Sequence, residues 1–279
     1  PAMTIWIFAL LLGTADAFSH VAMPSVSRTV RLSRTPALIR MNAESMGVYP
    51  FDLDKPGVKI APPMIFAVGL NYASHARELK RTPPELPIIF GKGPNTITSH
   101  GKPVYLPPEE PCVDYEGELA VIIGPKPCTS VTPKDALSYA LGYCVALDVS
   151  GRSWQFERPN GGQWLRSKSF DSFLPLGPRM VPAAEVPDPQ ALRITTRVNN
   201  QVVQDAPTSE MIFGVADIIS FLSISTTLLP YTLILTGTPA GAGAGRRPPK
   251  YLHEGDVVEV SIPGVGLLSN PIVAGPAPR

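Results

Sequence analysis

The chain has 279 residues, 44% of them hydrophobic and 17% charged, with 24 basic against 23 acidic side chains and a formal charge of +1. That length and apolar content suffice for a folded domain with a sizeable core, and the near-neutral balance excludes a global field favouring nucleic acid or an anionic membrane surface. The 33 prolines and 23 glycines are spread among apolar runs instead of gathered in a tail, which points to a turn-rich β fold.

Residues 4–13 form an apolar run too short to cross a bilayer easily, and Ala15, Asp16 and Ala17 ahead of Phe18 make the small-residue pattern of a signal-peptide cleavage site. Residues 18–40 then carry four arginines, several Ser and Thr and no acid, the composition of an organelle transit peptide. Together they resemble the bipartite leader of proteins sent into secondary plastids, with a mitochondrial presequence or simple secretion as the other readings. Residues 1–40 are therefore expected to be a targeting leader, 41–64 an N-terminal extension and 65–279 the folded domain. No stable membrane insertion of the mature protein is expected.

From residue 65 the pattern changes to short apolar runs separated by turn residues. Strands are predicted at 66–70, 87–90, 103–106, 119–123, 142–147 and 233–236, with helices at 72–80, at 133–140 behind Thr132, and at 209–222 behind a Thr208 cap. Residues 192–198 and 201–204 alternate about Asn199-Asn200, a hairpin signal, and 257–262 with 266–269 reads as a second hairpin. Mainly β with a few helices is the predicted class. The three cysteines, Cys112, Cys128 and Cys144, form no C-x-x-C pair and are expected to be reduced and buried.

The stretch 114–124, DYEGELAVIIG, sets acids at the start of an apolar strand. Residues two apart on a strand share a face, so Glu116 and Glu118 are expected to project together. Two carboxylates about 5 Å apart repel by roughly 3 kcal/mol at an effective dielectric near 20. A bound cation, a neighbouring Arg or Lys, or exposure at a sheet edge would each relieve this. The strand 142–147 delivers a third acid, Asp148, with Arg152 and Gln155 just beyond. Three carboxylates without His or thiolate would select a hard cation such as magnesium, manganese or calcium.

DYEGELAVIIG, ALDVSGRSWQ (146–155), QWLRSKSFDSFLPLGP (163–178) and LILTGTPAGAG (233–243), in this order, resemble the fumarylacetoacetate hydrolase family over about residues 65–275. The runs from 161 to 178 and 246 to 256 are most similar to its fumarylacetoacetate hydrolase domain-containing protein 2 branch. The resemblance implies a mixed β-sandwich roll in a single catalytic domain, a common homodimer, and a divalent cation, usually magnesium, held by Glu116, Glu118 and Asp148. It also implies substrate contacts from Arg152, Gln155 and Thr238, an active-site cation in Lys168, and a helix carrying His75 and Glu78 three positions apart. Such a site suits a small 2-oxo acid or acylpyruvate substrate, with C–C bond hydrolysis as the leading expectation. Oxaloacetate tautomerisation or decarboxylation is the alternative, and a non-catalytic metabolite-binding member is the rival of another class. The glycines between 241 and 245 are followed by Arg246, Arg247, Pro248 and Pro249, which oppose a nucleotide-binding helix there, and are expected to be a flexible loop near the site.

Overall fold

The computed structural model describes residues 61–157 and 162–276, so the expected leader and most of the extension lie outside the described residues. Twelve strands make two sheets: β1 Ile65–Gly69, β2 Ile88–Gly91, β3 Ile97–Ser99, β4 Val104–Leu106, β5 Gly117–Ile123, β6 Ala140–Leu147, β7 Leu174–Pro182, β8 Arg193–Val198, β9 Gln201–Pro207, β10 Leu233–Leu235, β11 Val257–Ile262 and β12 Gly266–Ala274. The larger sheet runs β2-β1-β10-β5-β6-β7-β3 and the smaller β9-β8-β11-β12-β4. Both are mixed. In the larger, β1 pairs parallel with β10 and β7 with β3; in the smaller, β12 pairs parallel with β4.

Every residue of β5 is buried, and successive side chains enter different clusters. Leu119, Val121 and Ile123 join a cluster with Ile194, Val260, Ile262 and Leu268 of the smaller sheet, so the two sheets pack face to face there. Ala120 and Ile122 face the other way, into a cluster with Ile65, Cys144, Leu174 and Leu235 that the larger sheet alone supplies. A cluster built by one sheet and sealed from water requires that sheet to curl over it, which is the roll. Burial on both faces explains why LAVII is an unbroken apolar run.

The first hairpin turns on Asn199 and Asn200 at φ 50° and 65°, the left-handed pair that a two-residue turn between twisted strands demands. The helix expected at 209–222 begins later, at Val215, and runs to Ser223. Thr208 is not its cap: its hydroxyl accepts the Leu192 amide at 2.9 Å, and Asp217 instead accepts the Gly214 amide at 3.0 Å. The helix expected at 133–140 is short, Pro133–Ala136, because 140 already belongs to β6. Strands β3 and β7 and the helix Trp164–Lys168 were not anticipated. Cys128 and Cys144 are buried free thiols as expected, whereas Cys112 is half-buried.

Gly117, between the two glutamates, sits at a close approach of the sheets: a Cβ there would drive into Thr196 Oγ1 and the Val260 side chain of the smaller sheet. Gly117→Ala is therefore expected to lower stability by about 1–3 kcal/mol, read as a drop in the urea midpoint at unchanged slope.

Candidate active site

β5 and β6 run antiparallel with Gly117 opposite Leu147, and the Asp148 amide donates to Glu116 O at 2.8 Å. The start of one strand thus meets the end of the other, bringing Glu116, Glu118 and Asp148 together. All three are buried, and one carboxylate oxygen from each lies within 4.8 Å of the others. β10 ends beside them, and the Gly237 amide donates to Glu118 Oε2 at 2.7 Å.

Three basic side chains surround these acids. Lys168 Nζ bridges Glu116 Oε2 and Asp148 Oδ2, the latter at 2.7 Å. Lys92 Nζ, fully buried, donates to Asp148 Oδ1 at 2.7 Å and to Val149 O at 3.2 Å. Arg152 donates to Glu116 Oε1, to Asp114 Oδ2 at 2.9 Å and to Gln155 Oε1 at 2.7 Å. Gln155 lies in a π-helical turn, Ser153–Glu157, that follows Arg152 directly, and its Ser153 hydroxyl donates to Glu110 at 2.7 Å.

The compensation is uneven. For Glu116 burial favours the neutral acid, but Arg152 and Lys168 together outweigh it and hold the carboxyl well below the usual range. Glu118 has no basic partner among the described residues. Burial, then the charges of Asp148 and Glu116, push it well above the usual range. Burial brings Lys92 down to about 8, with Asp148 opposing that shift. The donor set fits a hard divalent cation: every ligand is oxygen, the atoms converge, and Glu118 lacks the positive charge that would keep it ionised.

The short helix α1, Ala73–Glu78, places its dyad on one face. His75 is buried, and its Nδ1 lies 3.0 Å from Glu78 Oε2. The Gly241 amide donates to Glu78 Oε1 and Oε2 at 3.0 and 3.2 Å. His75, Glu116, Glu118, Arg152, Gln155, Lys168 and Thr238 line one cleft of about 320 Å³, with Leu79, Ile88, Phe90, Phe156 and Trp164 as apolar walls. Asp148 lies beneath that lining. The Thr238 hydroxyl donates to Gly117 O at 2.9 Å and accepts from Gln204 Nε2 at 2.7 Å, so its proton is committed within the protein. A second depression of about 410 Å³ near Tyr105 and Phe170 has only the exposed Arg166–Glu109 pair, at 3.5 Å, as charge-paired lining.

Two residues with direct parts in this network receive no role from the sequence. Lys92 follows an ordinary apolar strand end, and no spacing marks it. Asp114, two positions before Glu116, is buried and accepts the Gly243 and Ala244 amides at 2.7 and 3.0 Å while holding Arg152. The 241–245 loop is accordingly near the site as expected, but it is pinned by two carboxylates instead of loose.

The family model described as "Fumarylacetoacetate (FAA) hydrolase C-terminal" matches residues 64–273. The chain is 44% identical over 212 residues to "Oxaloacetate tautomerase FAHD2A, mitochondrial" of Bos taurus, covering 76% of this chain and 67% of that protein. It is 43% identical over the same length and shares to the Homo sapiens protein of that name. Among solved structures, it superposes on a fumarylacetoacetate hydrolase from Exiguobacterium antarcticum with a TM-score of 0.70 at 39% identity, covering 76% of each chain. It matches 5-carboxymethyl-2-hydroxymuconate delta-isomerase from Mycobacterium smegmatis with a TM-score of 0.68 at 38% identity, over 78% of this chain and 81% of that one.

Because Glu118 holds a proton more tightly in the folded, cation-free protein than in a free chain, a cation must displace that proton on binding. Magnesium affinity is expected to rise with pH by up to about tenfold per unit until Glu118 is ionised. Calorimetry in two buffers of different ionisation enthalpy measures the released proton, and a pH-independent affinity would contradict the assignment.

Proposed function

The chain belongs to the fumarylacetoacetate hydrolase family and is an enzyme, and we propose that within it the protein interconverts the keto and enol forms of oxaloacetate or a closely related 2-oxo acid. One observation carries the reading: His75, paired with Glu78 at 3.0 Å, opens onto the same cleft as Glu116 and Glu118. The relatives named oxaloacetate tautomerase, at 42–44% identity, support it over the hydrolysis suggested by the family name.

Tautomerisation moves one proton from C3 to the oxygen on C2. With Nδ1 bonded to Glu78, Nε2 is the basic nitrogen of His75, and it would take the C3 proton. Glu78 would keep the ring turned and stabilise the imidazolium. A magnesium or manganese ion held by Glu116, Glu118 and Asp148 would supply Lewis acidity toward the oxygens of a 2-oxo acid. Lys168 would place positive charge beside the C2 oxygen as charge develops there. Arg152 and Gln155, locked to each other at 2.7 Å, would orient a substrate carboxylate. Thr238 could serve one only by exchanging its bond to Gly117 O.

The walls favour this chemistry. Leu79, Ile88, Phe90 and Trp164 give the cleft an apolar lining beside its charged residues, and such a lining offers little to hold the water that hydrolysis consumes. The same walls would accommodate an acyl substituent, so acylpyruvate hydrolysis is the second reading.

Organelle delivery is part of the proposal, resting on the arginine-rich residues 18–40 and on relatives whose names place them in mitochondria. Those names give the plastid preference no support. The homodimer implied by the family resemblance is likewise proposed, and light scattering on the purified protein tests it.

With magnesium, the purified protein is expected to accelerate decay of enol absorbance from oxaloacetate without matching release of carbon dioxide. Acylpyruvate cleavage run in parallel would reveal a hydrolase. His75→Ala should lower turnover by roughly 10²–10⁴-fold while leaving magnesium affinity intact, and undiminished turnover would remove His75 from the mechanism. Glu116→Gln should lose both, and an unchanged calorimetric magnesium isotherm would sink the ligand assignment.

A further inference from the structure

The glycine-rich segment 241–245 lies against the back of the proton-transfer pair. Its Gly241 peptide is held on both sides: the amide donates to both oxygens of Glu78, and the carbonyl accepts from Tyr115 Oη at 3.2 Å and from Arg246 Nε at 3.3 Å. Arg246 also reaches Val203 O at 3.0 Å, anchoring the segment to β9. The Gly243 and Ala244 amides grip Asp114. Four residues on, the backbone returns to Glu78. A Cβ built on Gly245 would stand 2.5 Å from Glu78 Cδ and 2.6 and 2.9 Å from its two oxygens. These are its three nearest atoms, so the missing side chain at 245 leaves room for that carboxylate.

We propose that Gly245 is a positioning residue: the bare backbone at 245 and the Gly241 amide form a seat that holds the Glu78 carboxylate against His75 Nδ1. The seat has two parts that act differently. Gly241 supplies attraction, a backbone N–H shared between the two oxygens. Gly245 supplies space, which no other amino acid would leave. Gly241 is further confined by φ +106° and by a Cβ that would collide with Val203 backbone, so its replacement would disturb the fold itself. Gly245 carries neither restriction, since its backbone is ordinary and the displaced atoms end a flexible side chain. Substitution at 245 thus reports on the seat, and at 241 on folding.

The inference rests on the reading of His75 and Glu78 as the proton-transfer pair, and the experiment separates the two. Gly245→Ala is expected to fold cooperatively, with only a small drop in denaturant midpoint from the loosened Glu78 hydrogen bonds, and to bind magnesium within about twofold of the parent. Its kcat for tautomerisation should fall at least tenfold with little change in KM. Nitrogen-15 spectra of His75 in the cation-free protein should show loss of the Nδ1–H tautomer that Glu78 selects. Glu78→Asp retracts the carboxylate by one methylene, so in Gly245→Ala/Glu78→Asp the loss should be at least fivefold smaller than the product of the two single losses. A fully active Gly245→Ala, an unaltered His75 tautomer, or a double variant whose losses simply multiply would overturn the seat. Should His75→Ala and Glu78→Gln themselves keep full turnover, the proton-transfer reading falls; should they be inactive while Gly245→Ala is not, only the seat falls.

Discussion

Three carboxylates are forced together inside the protein by the antiparallel pairing of β5 with β6, and the rest of the site answers that constraint. At separations under 4.8 Å, each pair of ionised acids repels by roughly 3–4 kcal/mol at an effective dielectric near 20, before any loss of hydration. Lys92, Arg152 and Lys168 relieve most of it, and none of them is spare: each donates to at least one carboxylate of the cluster or to the aspartate beside it. Counting Asp114, four acids face three bases, and the member left without an ion pair among the described residues is Glu118, which keeps a proton despite the Gly237 amide and the more distant charge of Lys168. Under the proposed reading, a cation would replace that proton and join the cluster at Glu118. A cation site of this kind is a consequence of incomplete internal compensation, not of acidity as such.

The three residues ahead of Gly117 divide the work that follows. Glu116 enters the carboxylate cluster, the Tyr115 hydroxyl secures the Gly241 carbonyl, and Asp114 takes the Gly243 and Ala244 amides while steadying Arg152. A single segment thus fixes the cluster, the guanidinium beside it and the loop that contacts Glu78. Displacing that segment would move all three at once, which is why the close packing of Gly117 on the smaller sheet matters to the site as well as to stability.

Much of this was legible in the sequence, and the boundary between what was and was not has a physical basis. Strands announce themselves through β-branched runs ended by Gly, Pro and Asn, so β1, β5, β6 and both hairpins were readable, the first down to its turn residues. The helix 215–223 was misplaced because Thr208 and Glu210 imitate a cap, while the Thr208 hydroxyl is in fact engaged sixteen positions back with Leu192. The cluster of Glu116, Glu118 and Asp148 was inferred from the resemblance, with acids at strand ends giving only a hint. Asp114 and Lys92 were missed for one reason. Their partners lie 129 and 56 positions away in the chain, and nothing local distinguishes a buried, bonded Asp or Lys from a solvated one. The glycine run was seen but read as slack. Glycines that make room and glycines that allow motion look identical until the neighbours of their missing Cβ atoms are known.

The floor and the wall of the cleft carry different information. Carboxylates, Lys168 and Arg152 would assist any reaction in which negative charge gathers on a 2-oxo acid, so hydrolysis, tautomerisation and decarboxylation all fit the floor. Access of water to the carbon skeleton separates hydrolysis from the other two, neither of which consumes it. Residues from β2, from the end of α1 and from the helix Trp164–Lys168 decide that, through Ile88, Phe90, Leu79 and Trp164, and Phe90 packs on Trp164 with ring centroids 5.3 Å apart. Under the proposed reading, such apolar surface would favour moving a proton within the substrate over admitting a second reactant. Related enzymes sharing this floor could therefore differ in reaction through a few wall residues alone, with the carboxylates unchanged.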